Sequence, residues 1–121
     1  MQRAKPIDLA METARRRNKY FKNYKKVCRK IKEIAKKVLS DKHLKVLAFG
    51  SVVRKNFGPL SDLDVLIISK KVKMSVEELA KIRLKIKEEI KDYFAPLDIH
   101  LVTPEIYENW YKKFIDVFEE I

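Results

Sequence analysis

The sequence predicts an α/β (α+β) domain with a small mixed sheet of three to four strands, flanked by helices and preceded by a long basic helix. Three short apolar runs, at residues 44–49, 62–69 and 97–102, have the length and the Val, Ile and Leu content of buried strands. Segments with helical spacing precede, separate and follow these runs. The 121 residues, of which 46% are hydrophobic, suffice for a single domain with its own core.

A long helix is predicted in the N-terminal segment 1–43, from about Pro6 to Leu39. Apolar or small residues recur along it at intervals of three and four, most regularly over Tyr20–Leu39. A straight helix of this length would extend on the order of 50 Å, more than so small a domain can cover. We therefore expect a kink, fraying or a bound partner near Arg15–Asn18. Basic residues form the outer face of the helix: Lys22, Lys25, Lys26, Arg29, Lys32 and Lys36.

The positive charge of the chain is concentrated in this N-terminal segment. Residues 1–43 hold 15 Lys or Arg and 4 Asp or Glu, whereas residues 44–121 hold 13 of each, so the first segment accounts for the whole net charge of +11. Such asymmetry indicates an anionic partner, for which RNA bound through the basic helix is one candidate. A merely solvated surface is the equally open alternative.

The central segment, residues 44–102, begins with a buried strand at 44–49. Gly50–Ser51 then starts a short helix, and Phe57–Pro59 ends it. The second strand covers Asp62–Ser69. Its first residues alternate between carboxylates and apolar side chains, which places the carboxylates on one face of the strand.

Two further helices and a strand complete the predicted order α-β-α-β-α-β-α. Ser75 and Glu78 form a capping box for a helix that runs to about Tyr93. The third strand is residues 97–102. Thr103 and Pro104 then begin a last helix, predicted over residues 103–121. Its apolar stripe is expected in the core and consists of Ile106, Trp110, Phe114 and Phe118.

Asp62 and Asp64 carry the clearest chemical signal. Adjacent carboxylates on one face of a strand repel each other unless a cation or a shared proton lies between them. A hard divalent ion with oxygen ligands, Mg²⁺ in the first place, satisfies both. Upstream, Gly50–Ser51 offers free backbone N–H groups and a hydroxyl to an anion at the start of a helix. Taken alone, Gly50–Ser51 is open to the alternative of an ordinary strand-to-helix turn without a ligand.

This arrangement resembles the nucleotidyltransferase superfamily that includes DNA polymerase beta, and specifically its minimal, single-domain branch. The likeness extends from Leu44 to Val102. Lys55 stands where the family pattern has glycine. The residues that carry the resemblance are Gly50, Ser51, Arg54, Ser61, Asp62, Asp64 and Asp98.

The resemblance implies a metal-dependent nucleotidyltransferase whose catalytic core is residues 44–102. Asp62, Asp64 and Asp98 would be the catalytic carboxylates and the ligands of Mg²⁺ or Mn²⁺. The triphosphate of ATP or another NTP would be bound by Gly50, Ser51, Arg54 and Ser61. For Arg54, a surface role is the equally open alternative. The enzyme would transfer a nucleoside monophosphate, AMP from ATP in the first place, to a hydroxyl of a protein partner or RNA, and release pyrophosphate. His100 shares a strand face with Asp98, and the sequence leaves open whether it borders the site.

Relatives in the minimal branch are commonly associated with a separate helical protein of the HEPN type, in an antitoxin and toxin pair. The resemblance therefore implies a helical partner protein, and it also implies the alternative of a non-catalytic antitoxin or binding module. A homo-oligomer is a further open alternative among the partners. No apolar run has the length of a membrane span, and the single Cys28 excludes an internal disulfide. We therefore expect a cytoplasmic protein without a membrane partner.

Overall fold

The computed structural model describes residues 6–55, 62–92, 95–115 and 117–121. Its centre is a four-stranded mixed sheet, in which β1 pairs antiparallel with both β2 and β4, and β2 pairs parallel with β3. The mixed sheet flanked by helices confirms the predicted fold class. The strands, in the spatial order β3-β2-β1-β4, are β1 Lys45–Phe49, β2 Leu63–Ile68, β3 Leu97–Val102 and β4 Phe118–Glu120.

The predicted helix caps are present. Ser75 accepts a hydrogen bond from the backbone N–H of Glu78 at 3.2 Å, and Thr103 accepts one from Ile106 N–H at 3.2 Å. Tyr93, the expected end of the helix that begins after Ser75, lies outside the described residues. Among the described residues, no helix is long and apolar enough to cross a membrane. The helices are α1 Pro6–Lys22, α2 Tyr24–Leu39, α3 Ser51–Arg54, α4 Val76–Ile90, α5 Pro104–Ile106, a π-helical turn Tyr107–Tyr111 and α6 Lys112–Phe114.

The N-terminal helix is interrupted, but not at the expected place. Of the three alternatives expected near Arg15–Asn18, the structure shows no break of the helix there, because α1 continues through these residues and ends at Lys22, and a bound partner stays a prediction. The break lies at Asn23, whose backbone leaves the helical region (φ −106°, ψ 26°). Its side-chain Nδ2 donates to the carbonyl of Lys19 at 3.0 Å. An asparagine side chain that competes for backbone hydrogen bonds gives a physical reason for the break.

Helices α2 and α4 cover one face of the sheet. Cys28, Ile31 and Ala35 of α2 are fully buried there, and Ile82 and Ile86 of α4 join the same core. The residues that recur at intervals of three and four in α2 therefore face the core, as their spacing predicted. Burial raises the pKa of the Cys28 thiol to about 12, so this cysteine is a small apolar core residue.

The C-terminal segment differs most from the prediction. The last helix does not extend to residue 121, because it ends at Phe114 and Phe118–Glu120 forms the edge strand β4. The predicted core stripe is wrong for its aromatic members: Trp110, Phe114 and Phe118 are 63%, 75% and 47% exposed. The π-helical turn changes the angular position of the residues that follow it. The side chains that pack against the second face of the sheet instead are Ile106, Tyr107, Tyr111 and Ile115.

Candidate metal and nucleotide site

The parallel pairing of β2 and β3 brings the candidate ligands together. Asp64 lies directly opposite Asp98 in the register, and Leu66 lies opposite His100. Side chains two residues apart on a strand share a face, so His100 stands on the same side of the sheet as Asp98. One ligand atom from each of Asp64, Asp98 and His100 lies within 4.8 Å of the others. We refer to these three residues as the Asp64–Asp98–His100 cluster.

The imidazole Nε2 atom of His100 lies between the two carboxylates. It is 3.3 Å from Oδ2 of Asp98 and 3.7 Å from Oδ1 of Asp64. Nε2 is buried and has no hydrogen-bond partner among the described residues. Asp64 and, more weakly, Asp98 raise the pKa of His100, while burial of the ring acts in the opposite direction. Without a cation, the two carboxylates therefore favour the protonated form of His100.

Two aromatic rings hold the imidazole in place. Phe49, at the end of β1, contacts it with a centroid distance of 5.2 Å, and Tyr111 lies edge-on at 6.0 Å. The hydroxyl of Tyr111 is 3.5 Å from Nδ1 of His100. A polar partner on Nδ1 leaves Nε2 to face the carboxylates, as in metal sites where the second nitrogen of a ligating histidine is held from behind.

Gly50 contacts the cluster from the strand-to-helix turn. Its φ of +77° lies in the left-handed region, which a side chain disfavours. A Cβ atom at this position would lie 2.5 Å from Oδ2 of Asp64, closer than side chains approach. The absence of a side chain at Gly50 is thus what allows the Asp64 carboxylate to occupy its position.

The cluster fits a divalent cation. Two carboxylates facing each other across parallel strands, with a buried nitrogen that lacks a hydrogen bond, form a donor set of two oxygens and one imidazole. Carboxylates suit Mg²⁺ and Mn²⁺, and imidazole is tolerated by Mn²⁺ and other transition-metal ions. Asp64 and His100 would hold such an ion from partly buried positions, 26% and 27% exposed, and Asp98 from a position 55% exposed.

The other predicted site residues have different surroundings. Asp62 is not a member of the cluster: it precedes β2, is 51% exposed, and its Oδ1 lies 3.3 Å from the guanidinium of Arg17 in α1. Arg17 thereby supplies positive charge to Asp62, whose role as a metal ligand stays a prediction. Ser51 is the first residue of α3 and is half-buried, and Arg54 is exposed at its end. Ser61 lies outside the described residues, as does the turn at Phe57–Pro59.

Lys55 adopts the conformation that a glycine would favour. Its φ is +60°, in the left-handed region, immediately after α3. The family pattern has glycine at this position, and the structure shows that the turn keeps a glycine-like backbone despite the lysine. A left-handed non-glycine residue costs about 1–2 kcal/mol relative to glycine.

Sequence reasoning left His100 undecided and did not identify Arg17. The signal for His100 was that it lies two residues after Asp98 on one strand, and a strand residue without any role in the site can have the same spacing. Arg17 belongs to a run of basic residues in a separate helix, and no sequence pattern links that run to Asp62. Both contacts depend on how distant segments pack.

A candidate cation site beside a glycine-containing turn is compatible with metal-dependent phosphate-transfer chemistry. Residues 27–121 match the nucleotidyltransferase domain family, and the chain belongs to this family. Its general class of activity is nucleotidyl transfer. Domains of this family generally use a divalent metal and an NTP. The match begins within α2, so α1 lies outside it.

Two solved structures are similar to this chain. One, described as a "putative nucleotidyltransferase", is 30% identical, with a TM-score of 0.58 and coverage of 77% of this chain and 95% of its own. The second, described in the same words and from Sulfolobus solfataricus, is 19% identical, with a TM-score of 0.50 and coverage of 99% and 89%. The first supports the family, and the second supports the fold alone. The comparison with curated proteins found no match.

Proposed function

We propose that the protein transfers a nucleoside monophosphate, AMP from ATP in the first instance, to a hydroxyl group of a protein partner or RNA. The observation that carries this proposal is the Asp64–Asp98–His100 cluster, with Gly50 close enough that a Cβ would collide with Asp64. The turn offers backbone N–H groups for phosphate beside a cation site, which are the two requirements for binding a nucleoside triphosphate.

The reaction is a substitution at the α-phosphorus. The acceptor hydroxyl oxygen forms a bond to that phosphorus, and the bond to the oxygen that bridges the α- and β-phosphates breaks. Pyrophosphate leaves with the bonding electron pair, and the hydroxyl proton passes to a base. Asp98, which is 55% exposed on the cluster, is the proposed proton acceptor.

Asp64 and His100, with Asp98, would hold the divalent ion, which when bound neutralises phosphate charge and lowers the barrier to attack. Asp62 would become a further ligand of the ion after its ion pair with Arg17 breaks. Gly50, Ser51, Arg54 and Ser61 are proposed to bind the triphosphate. Because positioning and charge neutralisation supply most of the catalysis in such reactions, no covalent enzyme intermediate is required.

The test uses two forms of labelled ATP, incubated with the protein, Mg²⁺ or Mn²⁺, and separated protein and RNA fractions of a cell extract. Nucleotidyl transfer moves a label on the α-phosphate to the acceptor and leaves a γ-label in pyrophosphate. Transfer of the γ-label to an acceptor instead would contradict the proposal. Asp98→Ala should reduce transfer far more than nucleotide affinity, since it removes the proposed proton acceptor entirely but only one of the three proposed metal ligands.

A second candidate is a non-catalytic antitoxin or binding module that neutralises a helical partner protein, such as one of the HEPN type. The observation that favours it is an exposed apolar surface at Trp110, Phe114 and Phe118. Metal dependence separates the two candidates. An enzyme should bind ATP only with Mg²⁺ or Mn²⁺ present, whereas a pure binding module should not bind ATP at all.

A further inference from the structure

A groove outside the candidate metal site lies between the N-terminal helices and the end of α4. Its volume is about 460 Å³, within the range of about 300–1,000 Å³ that is typical of ligand sites. Lys19, Lys26 and Lys30 line it together with Arg16, and all four side chains are exposed. Val27 and Ile90 supply apolar surface between these cations.

The charge of the groove is strongly positive. Among the described residues, Asp92 is its sole acidic lining residue, and that carboxylate is already engaged. It accepts a hydrogen bond from the hydroxyl of Tyr20 at 2.7 Å and pairs with Arg16 at 3.3 Å. Lys19, Lys26 and Lys30 form no ion pair with the described residues. Three cations are therefore available to an anionic ligand.

We propose that this groove binds single-stranded nucleic acid. Lys26 and Lys30 are one helical turn apart, so the groove presents repeated point charges suited to the repeated phosphates of a strand. Tyr20 lies among them, half-buried and fixed by its bond to Asp92. An aromatic side chain beside a cationic track is the arrangement on which unpaired bases stack.

An acidic protein segment fits the groove less well. Carboxylates are best matched by the planar fork of arginine, and the one arginine among the four cations, Arg16, already pairs with Asp92. Short acidic side chains also gain nothing from the apolar surface of Val27 and Ile90 or from the Tyr20 ring. A nucleobase can use both.

Helix α1 contributes both to the groove and to the surroundings of Asp62. Arg16 lines the groove, and the next residue, Arg17, pairs with Asp62. A strand in the groove could thus continue toward the Asp64–Asp98–His100 cluster. Its use as the acceptor rests on the proposed function, whereas binding in the groove does not. Arg16, Lys19 and Tyr20 precede the region matched to the family, whereas Val27, Lys30, Ile90 and Asp92 lie within it, so the groove combines the family domain with the helix before it.

The test measures fluorescence anisotropy of a labelled twelve-nucleotide RNA with metal-free, nucleotide-free full-length protein over a range of salt concentrations. The variant Lys19→Gln, Lys26→Gln, Lys30→Gln should weaken binding at least tenfold. The slope of the logarithm of affinity against the logarithm of salt concentration should become smaller in magnitude by about 2, because each phosphate that the protein no longer neutralises removes about 0.7. The matched control removes three charges from exposed positions of α1 and α2 that do not line the groove: Lys22→Gln, Arg29→Gln, Lys37→Gln. The control should weaken binding by less than threefold.

A second pair of variants tests stacking. Tyr20→Leu should weaken binding by about 5- to 150-fold, because it removes the aromatic surface. Tyr20→Phe keeps the ring and loses only the hydrogen bond to Asp92, so it should weaken binding far less. Single-stranded DNA of the same sequence should bind the same groove. Equal reductions of affinity in the two triple variants, tighter binding of duplex, or binding of polyglutamate without binding of RNA would each overturn the proposal.

Discussion

Substitution of Gly50 by alanine tests how the strand-to-helix turn supports the candidate metal site. The backbone at Gly50 has a φ of +77°, and alanine in this region costs about 1–2 kcal/mol. The new methyl group would also lie 2.5 Å from Oδ2 of Asp64, so the carboxylate must move. We therefore expect a lower free energy of unfolding and a weaker affinity for Mn²⁺, because Asp64 can no longer face Asp98 and His100.

A double-mutant cycle with Asp64→Ala separates the two causes. The assays are urea unfolding for stability and titration calorimetry with Mn²⁺ for metal affinity. In the Asp64→Ala background, Gly50→Ala should lower the free energy of unfolding only by the cost of the left-handed backbone. The coupling free energy between the two substitutions should be about 0.5–3 kcal/mol. If Gly50→Ala costs the same in both backgrounds and leaves Mn²⁺ affinity unchanged, the close approach of Gly50 to Asp64 does not shape the site.

Three further predictions concern stability. Asp64 and its neighbouring carboxylate raise the pKa of His100. In the metal-free protein, the contribution of this histidine to the free energy of unfolding is therefore complete below about pH 6.5 and is lost as the pH rises through the raised pKa. In urea unfolding, the stability difference between the parent and His100→Gln should shrink over the same pH range. Ser69 donates at 2.6 Å to buried Asp41 and holds the pKa of that carboxyl below its usual range. Ser69→Ala should cost about 1–3 kcal/mol at pH 7, an effect that is present above about pH 3.9 and fades as the pH falls through the lowered pKa of Asp41; no change at pH 7 would contradict this. Trp110→Ser should change the unfolding free energy by less than about 0.5 kcal/mol, because the indole is 63% exposed, and a larger decrease would place it in the core.

Local patterns predicted most of the fold. The boundaries of β3 at Leu97 and Val102 match the expected strand, and the cap at Ser75 is where its sequence signal places it. Both depend on neighbouring residues only. The short strand Phe118–Glu120 was not predicted, since three residues carry no periodicity and its pairing with β1 is a tertiary contact. The break was expected too early, near Arg15–Asn18 rather than at Asn23, since a single asparagine inside an amphipathic pattern gives no strong stop signal.

The candidate site was predicted in part. The alternation of β2 indicated which face Asp64 occupies, and the family resemblance supplied Asp98 as its counterpart. Asp64 and Asp98 face each other only because β2 and β3 pair in this parallel register, which no local sequence pattern predicts. His100 became a candidate ligand only when the structure placed Nε2 between the carboxylates. The pairing of Asp62 with Arg17 depends in the same way on the packing of α1.

The most direct test of the central claim is calorimetric titration of ATP into the purified protein, with and without Mn²⁺. The cluster should bind the nucleotide only when the metal is present, and Asp64→Asn should abolish that binding while the protein stays folded. Glu120→Gln is the matched control, since it removes an exposed strand carboxylate outside the cluster and should bind as the parent does. Metal-independent binding by the parent, or unchanged metal-dependent binding by Asp64→Asn, would contradict the assignment of this site.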